Sequence, residues 1–215
     1  MTTFDSSDST VLNGSDPTPG IVAVEPIAGN RMAIYLRPDS QTIAREEVAY
    51  RPWLIAARSE PWLALRPQPV VERLSGDHAL AFLVRFANWN LFQDAVRAAR
   101  ESREVFHDVG SPVDQYLMES GRTMFKGMVF EDLRRMQLDI ETSGLDPEDA
   151  SAKIVMIAMR AHDGREVVYV DDDEATMLIE LTQHIADIDP DVIEGHNIFN
   201  FDIPYLIARS EKAGV

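Results

Sequence analysis

No cysteine occurs among the 215 residues, which excludes disulfide cross-links, thiolate metal sites and cysteine nucleophiles. Long apolar runs are missing too. The most convincing ones, residues 79–86 and 154–159, fall far short of the roughly 20 residues that span a bilayer, so no membrane role is expected. The first twenty residues, MTTFDSSDSTVLNGSDPTPG, have neither a basic start nor an apolar stretch, so they are no secretion or transit signal. They read as a disordered leader, and a cytoplasmic location is the expectation. Positive charge is scarce: 20 Lys and Arg stand against 36 Asp and Glu, a formal net charge of −16. Tight nonspecific binding to a phosphate backbone needs clustered cations, which this balance argues against.

What is present is unevenly placed. Residues 139–215 carry 18 acidic and 5 basic side chains, whereas residues 1–138 carry 18 and 15. The acidity therefore gathers in the C-terminal part, either as a carboxylate cluster awaiting cations or as a solvated acidic surface. The main local concentration of positive charge is Arg122, Lys126, Arg134 and Arg135. It is available to a nucleic-acid backbone or to neighbouring acids.

The chain divides by pattern into a leader (1–20), an α+β domain (21–130) and a second domain (131–215). In the first domain, strands are expected at 31–36, 51–56, 69–74 and 79–86. A helix is expected over 88–102, where Leu91, Phe92, Ala95, Val96 and Ala99 recur at helical spacing behind Asn88 or Asn90 as N-cap. A shorter helix over 113–119 opens at Ser111-Pro112 and ends at Gly121. Trp53, Trp62 and Trp89 are either stacking platforms for bases or, more simply, core fillers. His78 and His107 have no evident partners.

In the second domain, strands are expected at 133–141, 153–160 and 166–170, with Asp163-Gly164 as a two-residue hairpin turn. A helix over 174–188 follows, started by Asp171 to Asp173 at its positive end. A fourth strand covers 191–194, and a helix over 202–213 has Pro204 in its first turn and Gly214 at its end. The order is βββαβα: a meander, a right-handed crossover and a strand running parallel to the first. It resembles the beginning of a ribonuclease H-like fold, giving an α/β chain whose second domain is an incomplete mixed sheet.

The chemistry-bearing stretch is Leu138-Asp139-Ile140-Glu141-Thr142. Apolar and acidic residues alternate there, so both carboxylates share one strand face roughly 6 to 7 Å apart, a spacing that straddles a cation. In so acidic a chain roughly six acid-x-acid triplets arise by chance. The triplet therefore matters only with its company, Asp191 to Leu206 (DVIEGHNIFNFDIPYL), which the parallel fourth strand brings beside it. Asp202 stands at a helix start, where Asp commonly caps; capping and metal ligation are compatible.

LDIET and GHNIFNFDIPYL resemble the first two exonuclease motifs of the proofreading domain of family B DNA polymerases, a branch of the DEDD 3′-to-5′ exonucleases. The five-residue step from Asn197 to Asp202 and the Phe-Asp-x-Pro-Tyr-Leu continuation match that branch. The resemblance implies a polymerase-type N-terminal domain and a two-metal 3′–5′ exonuclease using Mg²⁺ or Mn²⁺ on a single-stranded 3′ end of DNA. It further implies that Asp139 bridges both ions, Glu141 ligates the ion of the attacking water, and Asp202 holds the ion near the leaving 3′ oxygen. Thr142, Asn197 and Phe201 would position the terminal nucleotide, although Phe201 also suits core packing. His184 and His196 are left unassigned, since a lone His beside an acidic motif is more often structural than a ligand.

The family also has a third motif, a Tyr followed at short spacing by a fourth metal-binding Asp. Neither Tyr205, too close to Asp202, nor Tyr169 with Asp173, on the wrong element, stands in for it. The expectation is accordingly a fragment or natural truncation, lacking the C-terminal exonuclease and polymerase portions as partners, with little activity by itself. The alternatives are a non-catalytic module that binds nucleic acid or a protein with a vestigial site, and a stand-alone nuclease of RNA or small oligonucleotides.

Overall fold

The computed structural model describes residues 14–39 and 42–215, in two compact units, one running to Gly127 and the other from Met128 to Val215. Residues 1–13 of the expected leader lie outside the described residues. Residues 14–20 depart from that expectation, because their main chain is tied down. Asp16 N donates to Gly121 O at 3.0 Å, Gly20 N donates to Lys126 O at 2.9 Å, and Lys126 Nζ donates to Asp16 O at 2.6 Å. A segment held through backbone groups leaves no hydrophobic period in its sequence, so composition could not show it.

In the first unit β1 (Ile21–Ile27), β2 (Arg31–Leu36) and β3 (Ala44–Ala49) form an antiparallel sheet in that order. A second sheet, in the order β5-β6-β4-β7, contains β4 (Trp53–Ala56), β5 (Val70–Arg73), β6 (Phe82–Arg85) and β7 (Phe106–Asp108). Three helices accompany them: α1 (Glu60–Leu63), α2 (Trp89–Glu101) and α3 (Pro112–Ser120). The Asn88 side chain caps α2 by accepting from Leu91 N at 2.9 Å, and the helix buries Phe92, Ala95, Val96 and Ala99 against the second sheet's core. Trp53 and Trp62 are buried and Trp89 is half-buried within the packed clusters, so the tryptophans fill the core.

The second unit follows the expected order. β8 (Arg135–Thr142), β9 (Ile154–Ala161) and β10 (Glu166–Tyr169) make an antiparallel meander. Helix α4 (Glu174–Ile188) crosses to β11 (Val192–Glu194), which pairs parallel with β8, and α5 (Asp202–Ala213) follows; the strand order is β10-β9-β8-β11. Alternation makes this sheet two-faced. Met136, Leu138 and Ile140 of β8 pair with Ala161, Met159 and Ile157 of β9 and share a buried cluster with Met177, Leu178 and Leu181 of α4 and Tyr205 and Leu206 of α5. Each buried Leu, Ile or Met side chain among them contributes about 1.5–3 kcal/mol by leaving water. The intervening residues Gln137, Asp139 and Glu141 are exposed on the other face. Asp173 caps α4 by accepting from Ala175 N at 3.2 Å, which accounts for part of the acidic run before it. No helix among the described residues is long and apolar enough to cross a membrane.

Candidate active site

The site is built where β11 stops. Pairing with β8 covers only Val192–Arg135, Ile193–Met136 and Glu194–Gln137, so beyond Gln137 the edge of β8 has no strand beside it. The chain leaves β11 through Gly195, where a Cβ would stand 2.4 Å from Leu138 O. Only glycine lets the two backbones approach so closely. The turn that follows is fixed by Asn197, whose φ is 56°, and by the Asn200 and Phe201 amides, both donating to Asn197 O at 3.0 Å. Ile198 is buried in the core, and α5 begins at Asp202.

Asp202 is 3% exposed, and its Oδ1 accepts from Ile140 N at 3.2 Å. The residue before it, Phe201, takes the N-cap position without a side-chain cap. Asp202 thus does not cap its own helix; its carboxylate satisfies the amide that β11 is too short to reach. This contact brings the two sequence motifs together, because Ile140 is flanked by Asp139 and Glu141. A second junction joins them one turn further on, where Thr142 Oγ1 and Tyr205 Oη both donate to Gly144 O at 2.9 Å. Tyr205 is 1% exposed.

The far part of α5 is secured as well. Arg209 Nε donates to Glu174 at 2.9 and 3.0 Å, in an ion pair whose two side chains are each 13% exposed. This bonding to Glu174 holds the guanidinium's pKa above its ordinary value. Glu174 Oε1 also accepts from Ile154 N at 2.7 Å, and Lys212 Nζ donates to Pro147 O at 2.7 Å. Helix α5, the start of α4 and the loop between β8 and β9 are therefore one bonded unit. Sequence reading did not single out Gly195 or Arg209, and considered Tyr205 only as a stand-in for the third motif. Gly195 stands just after a strand, the one local signal of a close approach.

On the exposed face, a cleft of about 650 Å³ is lined by Gln137, Asp139, Ala158, Val168, Glu194 and His196, among others. Asp139 opens into it. Asn197 is exposed, and Phe201 is half-buried, 5.4 Å from the Tyr205 ring and packed on the core. His184 is part of a structural contact, its Nδ1 2.6 Å from Tyr169 Oη. The arginines of this unit are engaged, Arg134 with Asp189, Arg135 with Glu194, Arg160 with Glu166 and Arg165 with Asp163, and Lys212 pairs with Glu148. In the first unit Arg122 pairs with Asp16 and Glu46. The concentration of positive charge expected at Arg122, Lys126, Arg134 and Arg135 is spent on neighbouring acids and carbonyls.

The donors available to a divalent ion are all carboxylate oxygens, which suits a hard cation such as Mg²⁺ or Mn²⁺. Among the described residues, however, no three His, Asp or Glu side chains are gathered closely enough to hold one. Asp139 and Glu141 stand out on the exposed face while Asp202 is turned to an amide. Like charges 4 Å apart oppose each other by about 4 kcal/mol at an effective dielectric near 20, so gathering these acids calls for a compensating positive charge.

Residues 163–215 match the model of the DNA polymerase family B exonuclease domain. DNA polymerase 1 of Pyrococcus abyssi is 30% identical over 148 residues, covering 59% of this chain and 19% of that protein. DNA polymerase 2 of Aeropyrum pernix is 31% identical over 146 residues, covering 64% and 18%. The chain thus spans about a fifth of the length of these relatives. In fold it resembles the family B DNA polymerase of the hyperthermophilic archaeon Pyrobaculum calidifontis, with a TM-score of 0.63 and 20% identity over 90% of this chain and 32% of that one.

Proposed function

We propose that this chain carries part of a family B DNA polymerase exonuclease region and that its second unit contributes part of a 3′-to-5′ proofreading exonuclease that hydrolyses the terminal phosphodiester of a single-stranded DNA end. The observation that supports this reading best is the hydrogen bond from Ile140 N to Asp202, which sets the second-motif acid against the strand that carries Asp139 and Glu141. Asp139, Glu141 and Asp202 would hold Mg²⁺ or Mn²⁺. When bound, the metal ions supply an activated water and stabilise the attacking and leaving oxygens. The protein's own part is positional. Asp139 and Glu141 project from a rigid strand into the cleft face, Asp202 is fixed from behind by the Ile140 amide, and the Gly144 junction holds Thr142 at the strand's end. Asn197 and the turn around it would contact the terminal nucleotide.

Release of nucleotides from a single-stranded DNA 3′ end with Mn²⁺, for the 215-residue chain and for one extended downstream, tests the reading. The expected result is activity in the extended chain, lost in Asp139→Ala, with little in the shorter one. An extended chain that is inactive would sink it. The separation of the three acids favours one other reading, a binding module with a vestigial site. The two are distinguished by melting with and without Mg²⁺ or Mn²⁺, since a working site is stabilised by its ion and a vestigial one is not.

A further inference from the structure

Of the Phe, Tyr and Trp rings among the described residues, Phe130 and Phe199 are the exposed ones. Phe130 has Arg135 over its face, 3.7 Å from the ring centre. Phe199 is 79% exposed, at the tip of the turn between β11 and α5. Its backbone is not loose. Ile198, its neighbour, is 4% exposed and accepts at its carbonyl from Ile203 N at 3.0 Å, and the Asn197 carbonyl takes two further amides. The turn is thus plugged into the core on one side and presents a phenyl ring on the other.

Place and charge point to what that ring meets. Phe199 lies three residues from His196, which lines the cleft with Asp139, and three from Asp202. Consecutive Cα atoms are about 3.8 Å apart, so Phe199 lies within about 11 Å of both. The unit that contains it is acidic and its arginines are paired with carboxylates. A strand entering here gains little from phosphate contacts and must be held by contacts to its bases. Base stacking on an aromatic ring needs no cation and accepts any base. Phe201, the ring the motif comparison would choose, is half-buried against Tyr205 and the core.

We propose that Phe199, rather than Phe201, is the stacking platform for a base of the single-stranded 3′ end, an inference that rests on the exonuclease reading above. The test uses the 215-residue chain with a DNA oligonucleotide carrying 2-aminopurine near its 3′ end, in Ca²⁺ so that binding is read apart from hydrolysis. Phe199→Ala should leave the melting temperature unchanged, weaken binding roughly 5- to 150-fold, the range for losing one stacked base, and abolish the quenching that stacking causes. Phe199→Trp should retain both binding and quenching. If the oligonucleotide binds the unsubstituted protein and Phe199→Ala binds it equally well, Phe199 has no such role, while the exonuclease reading stands. If the unsubstituted protein binds no oligonucleotide at all, the stacking proposal falls, while the exonuclease reading is decided by the activity of the extended chain.

Discussion

Asp202 does two jobs that two substitutions separate. Asp202→Ala strips the Ile140 amide of its acceptor in a buried place, which costs about 1–3 kcal/mol. Asp202→Asn keeps an oxygen there, and a chemical melt should show it losing less than half as much stability. Both should abolish ion-dependent stabilisation, so an Asn variant that melts like the parent yet no longer responds to Mn²⁺ is the expected outcome. Gly195 is constrained in another way. Gly195→Ala would set a methyl group 2.4 Å from Leu138 O, a backbone atom that cannot step aside. A loss of about 1–3 kcal/mol is expected by denaturant titration, and an unchanged midpoint would show that β11 relaxes freely. The residue scale is also where sequence was least informative. Asp139 and Glu141 were legible from alternation, but the orientation of Asp202 depends on how far a neighbouring strand extends, and no local pattern encodes that.

Among the elements, α5 carries the most consequence, since it brings Asp202 with it. Arg209→Met breaks a largely buried ion pair and leaves the Glu174 carboxylate without its cation. Loss of about 3–5 kcal/mol is expected, with Tyr205→Phe costing about 1 kcal/mol through the Gly144 junction. Thermal melts of both variants check the ordering, and a larger effect for Tyr205→Phe would contradict it. Elements with a clear period were readable. The two helices of the second unit were expected at 174–188 and 202–213 and are found over those residues. Three strands of the first unit, β1, β3 and the short β7, were not foreseen. β1 contains Pro26, and β3 is the polar segment AREEVA, mostly exposed, so its partner in the sheet and not its own side chains makes it a strand.

Charge is a property of the whole molecule. Nearly all of the net −16 resides in residues 139–215, so self-repulsion should weigh most on the second unit. The screening length falls from about 10 Å at 0.1 M salt to about 3 Å at 1 M. Hydrogen exchange followed across that range should slow in β8, β9 and α4 more than in β1 to β3; equal slowing in both would mean that repulsion is not what limits the second unit. The fold order βββαβα and the family likeness were legible from 85 residues of alternation and spacing. The pairing of the second unit's arginines with acids was not, because contacts such as Arg209 with Glu174 and Arg134 with Asp189 join positions far apart in the chain.

The bond between the Ile140 amide and Asp202 makes the site report on itself. An amide held by a carboxylate at 3.2 Å in a 3% exposed pocket exchanges with solvent only when that bond opens. If an incoming cation draws the Asp202 carboxylate toward Asp139 and Glu141, the same movement frees the amide. The exchange rate of this single proton is then a gauge of where Asp202 is spending its charge, readable without substrate or turnover.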